Sequence, residues 1–151
     1  MLFRSRGALM AALCWRGDFA AALPLAIERA RKHPRDVAAM AEVSFLLTET
    51  RDEAQRNAGL NVLAQALSVA PENPRPWLLR AHYRAKVFLH QEALEDFRRA
   101  LQIDARLVSA VCGAASSLAA LCRHEEAWRE LEGLVATDAQ ASLQQIGRAH
   151  V

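Results

Sequence analysis

Histidines, cysteines and neighbouring carboxylates are the side chains through which this chain could do chemistry, and their spacing argues against it. His82 and His90 stand eight residues apart with turn-like sequence nearby, which is not the spacing of two metal ligands on one helix face. Glu125-Glu126 and the scattered aspartates read as solvated helix surface. Three cysteines, Cys14, Cys112 and Cys122, are an odd number at unrelated spacings, which excludes a disulfide-stapled scaffold and a cysteine-built zinc site. Cys112 and Cys122 lie in an alanine-rich stretch and read as buried small hydrophobes. Trp77 and Trp128 have the chemistry to stack on a ligand, although core packing is the reading for Trp77. The chain has no glycine-rich phosphate loop, no Gly-x-Ser-x-Gly elbow and no His-Glu-x-x-His helix. The expectation is a protein that is not an enzyme, with no catalytic residue, no cofactor and no metal.

The elements that carry these residues must be helices. Ala supplies 31 of 151 residues while Gly and Pro together supply 11, a bias that favours helix and argues against an all-β fold. A hydrophobic share of 52% with 24% charged residues is the balance of a globular chain rather than a disordered one. Charges interrupt every apolar run before the 18 or so residues a membrane span needs, so no membrane span is expected and the reading is cytoplasmic.

The formal charge of +2 depends on the chain ends. Residues 146–151, Ile-Gly-Arg-Ala-His-Val, are what a common short-read sequencing adapter encodes in one frame. Its reverse complement encodes Met-Leu-Phe-Arg-Ser, residues 1–5, if GTG is taken as the start. Both ends therefore read as adapter-derived and are set aside from fold reasoning. Without Arg4 and Arg148 basic and acidic residues balance, so the pI of 8.6 is no argument for nucleic acid, and none is expected as a partner. The expectation is an internal fragment of a longer product.

The interior repeats itself. His90-Gln-Glu-Ala-Leu-Glu-Asp-Phe97 and the residues to Asp104 are echoed 34 positions on by His124-Glu-Glu-Ala127-Trp-Arg-Glu-Leu131 and the residues to Asp138. The same distance back, Gly59, Leu63, Ala66, Leu67 and Pro71 take the places of Ala93, Phe97, Ala100, Leu101 and Ala105. A further 37 back stand Ala22, Ala26 and Pro34. Small and apolar residues recur three and four apart in each copy, as one face of an amphipathic helix requires. The pattern predicts helix pairs at 5–16 with 19–33, 36–49 with 56–70, 74–87 with 90–103, and 107–121 with 124–137. Asn73 before Pro74 and Asp36 read as helix caps, and Gly17-Asp18 as a turn. Pro24 falls where it could bend its helix. The second copy holds three extra residues, placed by this reading in a longer turn over 48–57.

A 34-residue helix–turn–helix unit with these small and aromatic positions resembles the tetratricopeptide repeat. Trp77, Ala81, Ala93, Phe97 and Ala100 carry the resemblance best; Leu9, Leu13, Gly17-Asp18-Phe19, Ala22 and Pro34 carry it in the first copy. It covers residues 6–145 as one array of copies 6–34, 35–71, 72–105 and 106–139, followed by a truncated helix. Arg80 and Arg84 depart from it, standing where the family buries a leucine and a tyrosine. Either the first helix of that copy is rotated, or the two side chains run their stems along the surface.

The resemblance implies an all-α, right-handed solenoid of antiparallel helix pairs, with a concave groove lined by the first helices. Carried over by position, that groove takes Ala38, Ala41, Phe45, Thr48 and Glu49, then Arg75, Leu78, His82, Ala85 and Lys86, then Ser109, Cys112, Ser116, Ala119 and Ala120. Chaperone-binding members clamp a terminal carboxylate with lysines and asparagines there. This chain has Phe45, His82 and Ser116 at the asparagine positions, which argues against that clamp. Arg75, His82 and Lys86, seven and four apart, fall on one helix face beside Leu78 and predict a protein or peptide partner with an acidic cluster and an apolar anchor. Two other readings stand beside such a scaffold: the repeat arm of a larger bacterial enzyme of glycosyltransferase or sulfotransferase type, and a small secretion chaperone. Self-association through exposed ends of the array is also expected.

Overall fold

The computed structural model describes residues 6–134. The expected adapter residues 1–5 and 146–151, the truncated last helix and the end of the fourth copy lie outside the described residues. Seven helices follow in order: α1 (Arg6–Trp15), α2 (Phe19–Lys32), α3 (Val37–Thr48), α4 (Glu53–Val69), α5 (Pro74–Lys86), α6 (His90–Ile103) and α7 (Val108–Ala120). Residues 124–134 are helical as well, and no strand occurs among the described residues. The described helices form two compact units that divide between Leu79 and Arg80, inside α5.

Local chemistry places the helix starts. The Asp18 carboxylate accepts from the Ala21 N–H at 3.2 Å, Asp36 from Ala38 at 2.9 Å and Asp52 from Ala54 at 2.9 Å. Asn73 Oδ1 accepts from the Arg75 N–H at 3.0 Å at the start of α5, with Pro74 as its first residue. Arg29 of α2 reaches α3 twice, bonding both carboxylate oxygens of Glu42 at 2.9 Å and Asp36 at 3.3 Å. Burial works against the Asp36 charge, yet the N–H groups of Ala38 and Ala39 and the Arg29 guanidinium hold its carboxyl below the usual range. Pro24 lies inside α2 on its exposed side and does not end the helix.

In the first unit α1 packs on α2, α2 on α3 and α3 on α4, around Met10, Ala22, Ala26, Val43 and Leu46. Gly59 marks the closest approach of α3 and α4. A Cβ there would lie 2.8 Å from Leu47 Cβ and 3.0 Å from the Ser44 carbonyl oxygen, so a larger residue would force the helices apart. The second unit packs α6 on α7, with Ala93, Leu94, Phe97, Ala100, Ala110, Ala114 and Leu118 free of solvent. Ala66, Ala93, Ala100 and Ala127, small positions of the repeat, are all buried.

The extra residues of the second copy mainly lengthen a helix rather than the turn, since the link 49–52 is only one residue longer than those of the other copies. α4 begins at Glu53 and has 17 residues against 14 in α2 and α6, so the insertion lengthens the helix. The reason is local: Asp52 caps the helix early, and the Arg56 guanidinium, one turn in, donates to the Arg51 carbonyl at 2.8 Å and the Thr50 carbonyl at 3.3 Å.

The other three copies join their helices through the short links 16–18, 87–89 and 121–123, each with one residue in the left-handed region: Gly17 (φ 74°), Phe88 (φ 65°) and Cys122 (φ 60°). Only glycine adopts this conformation without a steric cost, which for other residues is roughly 1–2 kcal/mol. Phe88 is also 83% exposed, so little packing offsets the strain. Phe88→Gly should therefore raise the unfolding free energy by about 0.5–1 kcal/mol, since glycine's greater unfolded-state entropy cancels part of the relief. Urea denaturation of the two proteins checks it; a less stable variant would mean that the ring packs.

Candidate binding surface

The second unit holds the residues around which a surface can be built. Asp96 of α6 is buried, its side chain 4% exposed, and it meets two guanidiniums from α5. Arg80 donates to it in fork geometry, Nε to Oδ2 at 2.8 Å and Nη2 to Oδ1 at 2.7 Å. Arg84 adds a bond from Nη1 to Oδ2 at 2.7 Å and another to the Glu92 carbonyl at 3.3 Å. Neither alternative raised by Arg80 and Arg84 describes what they do. The two side chains turn inward, onto a carboxylate one helix away, and fix α5 against α6.

One residue along α6, Phe97 is fully buried. Its ring meets the His82 imidazole edge to face, with centroids 5.1 Å apart and planes at 78°. A Cβ on Gly113 of α7 would overlap the same ring, so glycine is what lets α7 close over Phe97. His82, Phe97 and Gly113 thus link α5, α6 and α7. Desolvation of the imidazole against this core lowers the pKa of His82 below the ordinary histidine value, although the residue remains partly open to solvent.

α7 divides cleanly into two faces. Ala110, Val111, Ala114, Ala115, Ser117 and Leu118 are buried, while Ser109, Cys112, Ser116, Ala119 and Ala120 are exposed. The second set is the one that the resemblance assigned to a groove. On the α5 segment of this unit His82 and Lys86 are exposed and Ala85 is half-buried.

The first unit agrees less well. Arg75 is exposed and Leu78 half-buried, and Phe45 is 37% exposed with its ring edge to face on Phe19, centroids 5.9 Å apart. Ala41 is fully buried and Thr48 is 8% exposed, so neither lines an open groove. α3 is apolar nearly all round, and its buried residues (Ala39, Met40, Ala41, Val43, Ser44, Leu46 and Thr48) leave it no continuous open face.

Cys112 and Cys122 are exposed, contrary to the reading of buried small hydrophobes. Cys112 falls on the open face of α7, and Cys122 sits in the link after it at a left-handed φ. Trp77 is half-buried, and its indole N–H donates to the Pro71 carbonyl at 2.8 Å. Trp128 is 65% exposed and bonds Glu132 at 2.6 Å on its own helix. Among the described residues no cluster of His, Cys, Asp or Glu has the arrangement of a metal site, and no helix is long and apolar enough to cross a membrane.

No protein-family model matches the sequence. No curated protein matches it significantly either. Solved structures do match. A thermophilic tetratricopeptide-repeat protein of Thermus thermophilus superposes with a TM-score of 0.76 at 16% identity, over 97% of this chain and 81% of its own. The chain has the tetratricopeptide-repeat fold. MamA of Desulfovibrio magneticus RS-1 matches with a TM-score of 0.69 at 16% identity, covering 90% of this chain and 77% of that one. A further MamA structure gives 0.66 at 12% identity, over 89% and 75%. Identities this low speak for the fold alone. The fold is thus an all-α tetratricopeptide-type solenoid. The Asp96 ion cluster replaces apolar packing that the sequence resemblance leads one to expect at Arg80 and Arg84. Reasoning from sequence missed Asp96, although two arginines four apart at apolar positions of the repeat were the signal to look for an acid on the neighbouring helix.

Proposed function

We propose that this chain is a non-catalytic protein-interaction scaffold that holds a segment of a partner protein against the open first-helix face of its second unit. The observation that carries the reading is the division of α7, with Ser109, Cys112 and Ser116 open on one side and the core sealed on the other. Small side chains there leave room for another backbone to approach, and His82 and Lys86 of α5 provide the polar chemistry. Arg75 and Leu78 on the preceding part of α5 are the residues the same reading assigns in the first unit. The partner chemistry that fits is an acidic cluster followed by an apolar anchor. Exposed ion pairs contribute up to about 1 kcal/mol each, so the apolar anchor supplies most of the affinity.

An acidic–apolar peptide library titrated against the protein tests the reading. Binding should weaken with added salt, since exposed charges are screened over about 10 Å at 0.1 M. Lys86→Ala should weaken binding by roughly fivefold, taking about 1 kcal/mol for the one charge. Ser116→Trp should block it by filling the space in front of α7. Affinity unchanged in both variants and indifferent to salt would remove the proposal.

A further inference from the structure

We infer that His82 makes recognition on this face proton-dependent, so that an acidic segment is held more tightly when the imidazole is protonated. The inference rests on the binding reading above and adds its regulation. The ring is fixed rather than mobile in orientation, because it packs edge to face on Phe97, which is itself buried and covered by Gly113. It is nevertheless open to solvent, and among the described residues neither ring nitrogen has a hydrogen-bond partner. An exposed imidazole held in place with unbonded nitrogens is ready to meet a group from outside.

The charges around it leave that role open. On α5, Arg80 and Arg84 are turned onto Asp96, and Lys86 stands one turn further on. On α6, the Asp96 carboxylate is taken up by those two guanidiniums, while Glu92, Glu95, Arg98 and Arg99 are exposed and His90 is half-buried. α7 carries no ionisable residue except Cys112. Desolvation works against the charged form of His82, since its contact with Phe97 removes water from one side. An incoming carboxylate would supply a counter-charge. Anion binding and protonation must then favour each other, and the affinity rises as pH falls through the histidine's ionisation.

The experiment takes the tightest member of the acidic–apolar library, selected at about pH 5.5 and again at about pH 7.5, and a counterpart with its glutamates replaced by glutamine. The acidic peptide should bind roughly fivefold to tenfold more tightly at the lower pH, and the amide counterpart should show no such change. Whatever affinity His82→Gln retains should be the same at both pH values, so that the gain at the lower one is lost; His82→Asn, a smaller neutral replacement, should lose the gain as well. Because His33, His90, His124 and His150 remain in both variants, a gain that survives them would overturn the assignment to His82. Binding by the unaltered protein that does not change with pH would overturn the inference and leave the scaffold reading intact. Failure of every library member to bind at both pH values would overturn the two together.

Discussion

Asp96→Asn should lower the unfolding free energy by about 3 kcal/mol, the lower end of the cost of breaking a buried ion pair by removing one partner. The lower end applies because the arginines keep contact with water, their side chains being 27% and 29% exposed against 4% for Asp96. The amide retains the shape of the carboxylate but accepts through one oxygen only. One of the three short bonds from Arg80 and Arg84 must then face an N–H₂ donor. Removing the charges together has a different consequence. In Arg80→Leu, Arg84→Tyr, Asp96→Leu the two first-helix positions regain the apolar types of the repeat family, no ion is left unpaired, and stability should return to within about 1–2 kcal/mol of the starting protein or exceed it. Urea denaturation of the single and triple variants measures both. A single substitution costing under about 0.5 kcal/mol would mean that the cluster is solvated and does not fix α5 on α6.

Phe97→Ala should cost about 3–5 kcal/mol, because the ring is fully buried and its loss opens a cavity between His82 and the α7 backbone. The same geometry makes a coupled prediction. Gly113→Ala alone should destabilise by about 1–3 kcal/mol through overlap with the ring, less up to about 1 kcal/mol gained from alanine's helix propensity. Once Phe97 is alanine the added methyl group enters the cavity, so Gly113→Ala should become neutral or stabilising. The interaction term of this double-mutant cycle is expected at about 1–3 kcal/mol. Additive effects of the two substitutions would show that α7 does not rest on Phe97.

The features legible in the sequence were those that a single helix or link determines for itself. Asp36 and the Asn73-Pro74 step mark helix starts through bonds to their own next turn, and Gly17-Asp18 marks a link, with Gly17 at a left-handed φ. The repeat also marked Ala66, Ala93, Ala100 and Phe97, whose burial follows from the period of the pattern. What depended on a partner in another helix was hidden. Two cations at apolar positions announced an anomaly, but the acid that resolves it lies on α6, 16 residues from Arg80 and 12 from Arg84. Ala41 and Cys112 show the same limit in the candidate site. Both hold small residues in first helices, yet α3 is apolar nearly all round and buries Ala41, whereas α7 keeps one side open and exposes Cys112. The extra residues of the second copy could extend a turn or a helix, and the Asp52 cap decided for the helix.

Chemical-shift mapping of the isotope-labelled protein with its tightest acidic–apolar peptide tests the scaffold claim most directly, since it reads the contact residue by residue. Perturbations should concentrate at His82, Lys86, Ser109, Cys112 and Ser116, with Ala110, Ala114 and Leu118 on the sealed side of α7 little changed. Perturbations confined to the outer positions of α6, such as Glu95, Arg98 and Gln102, would contradict the claim.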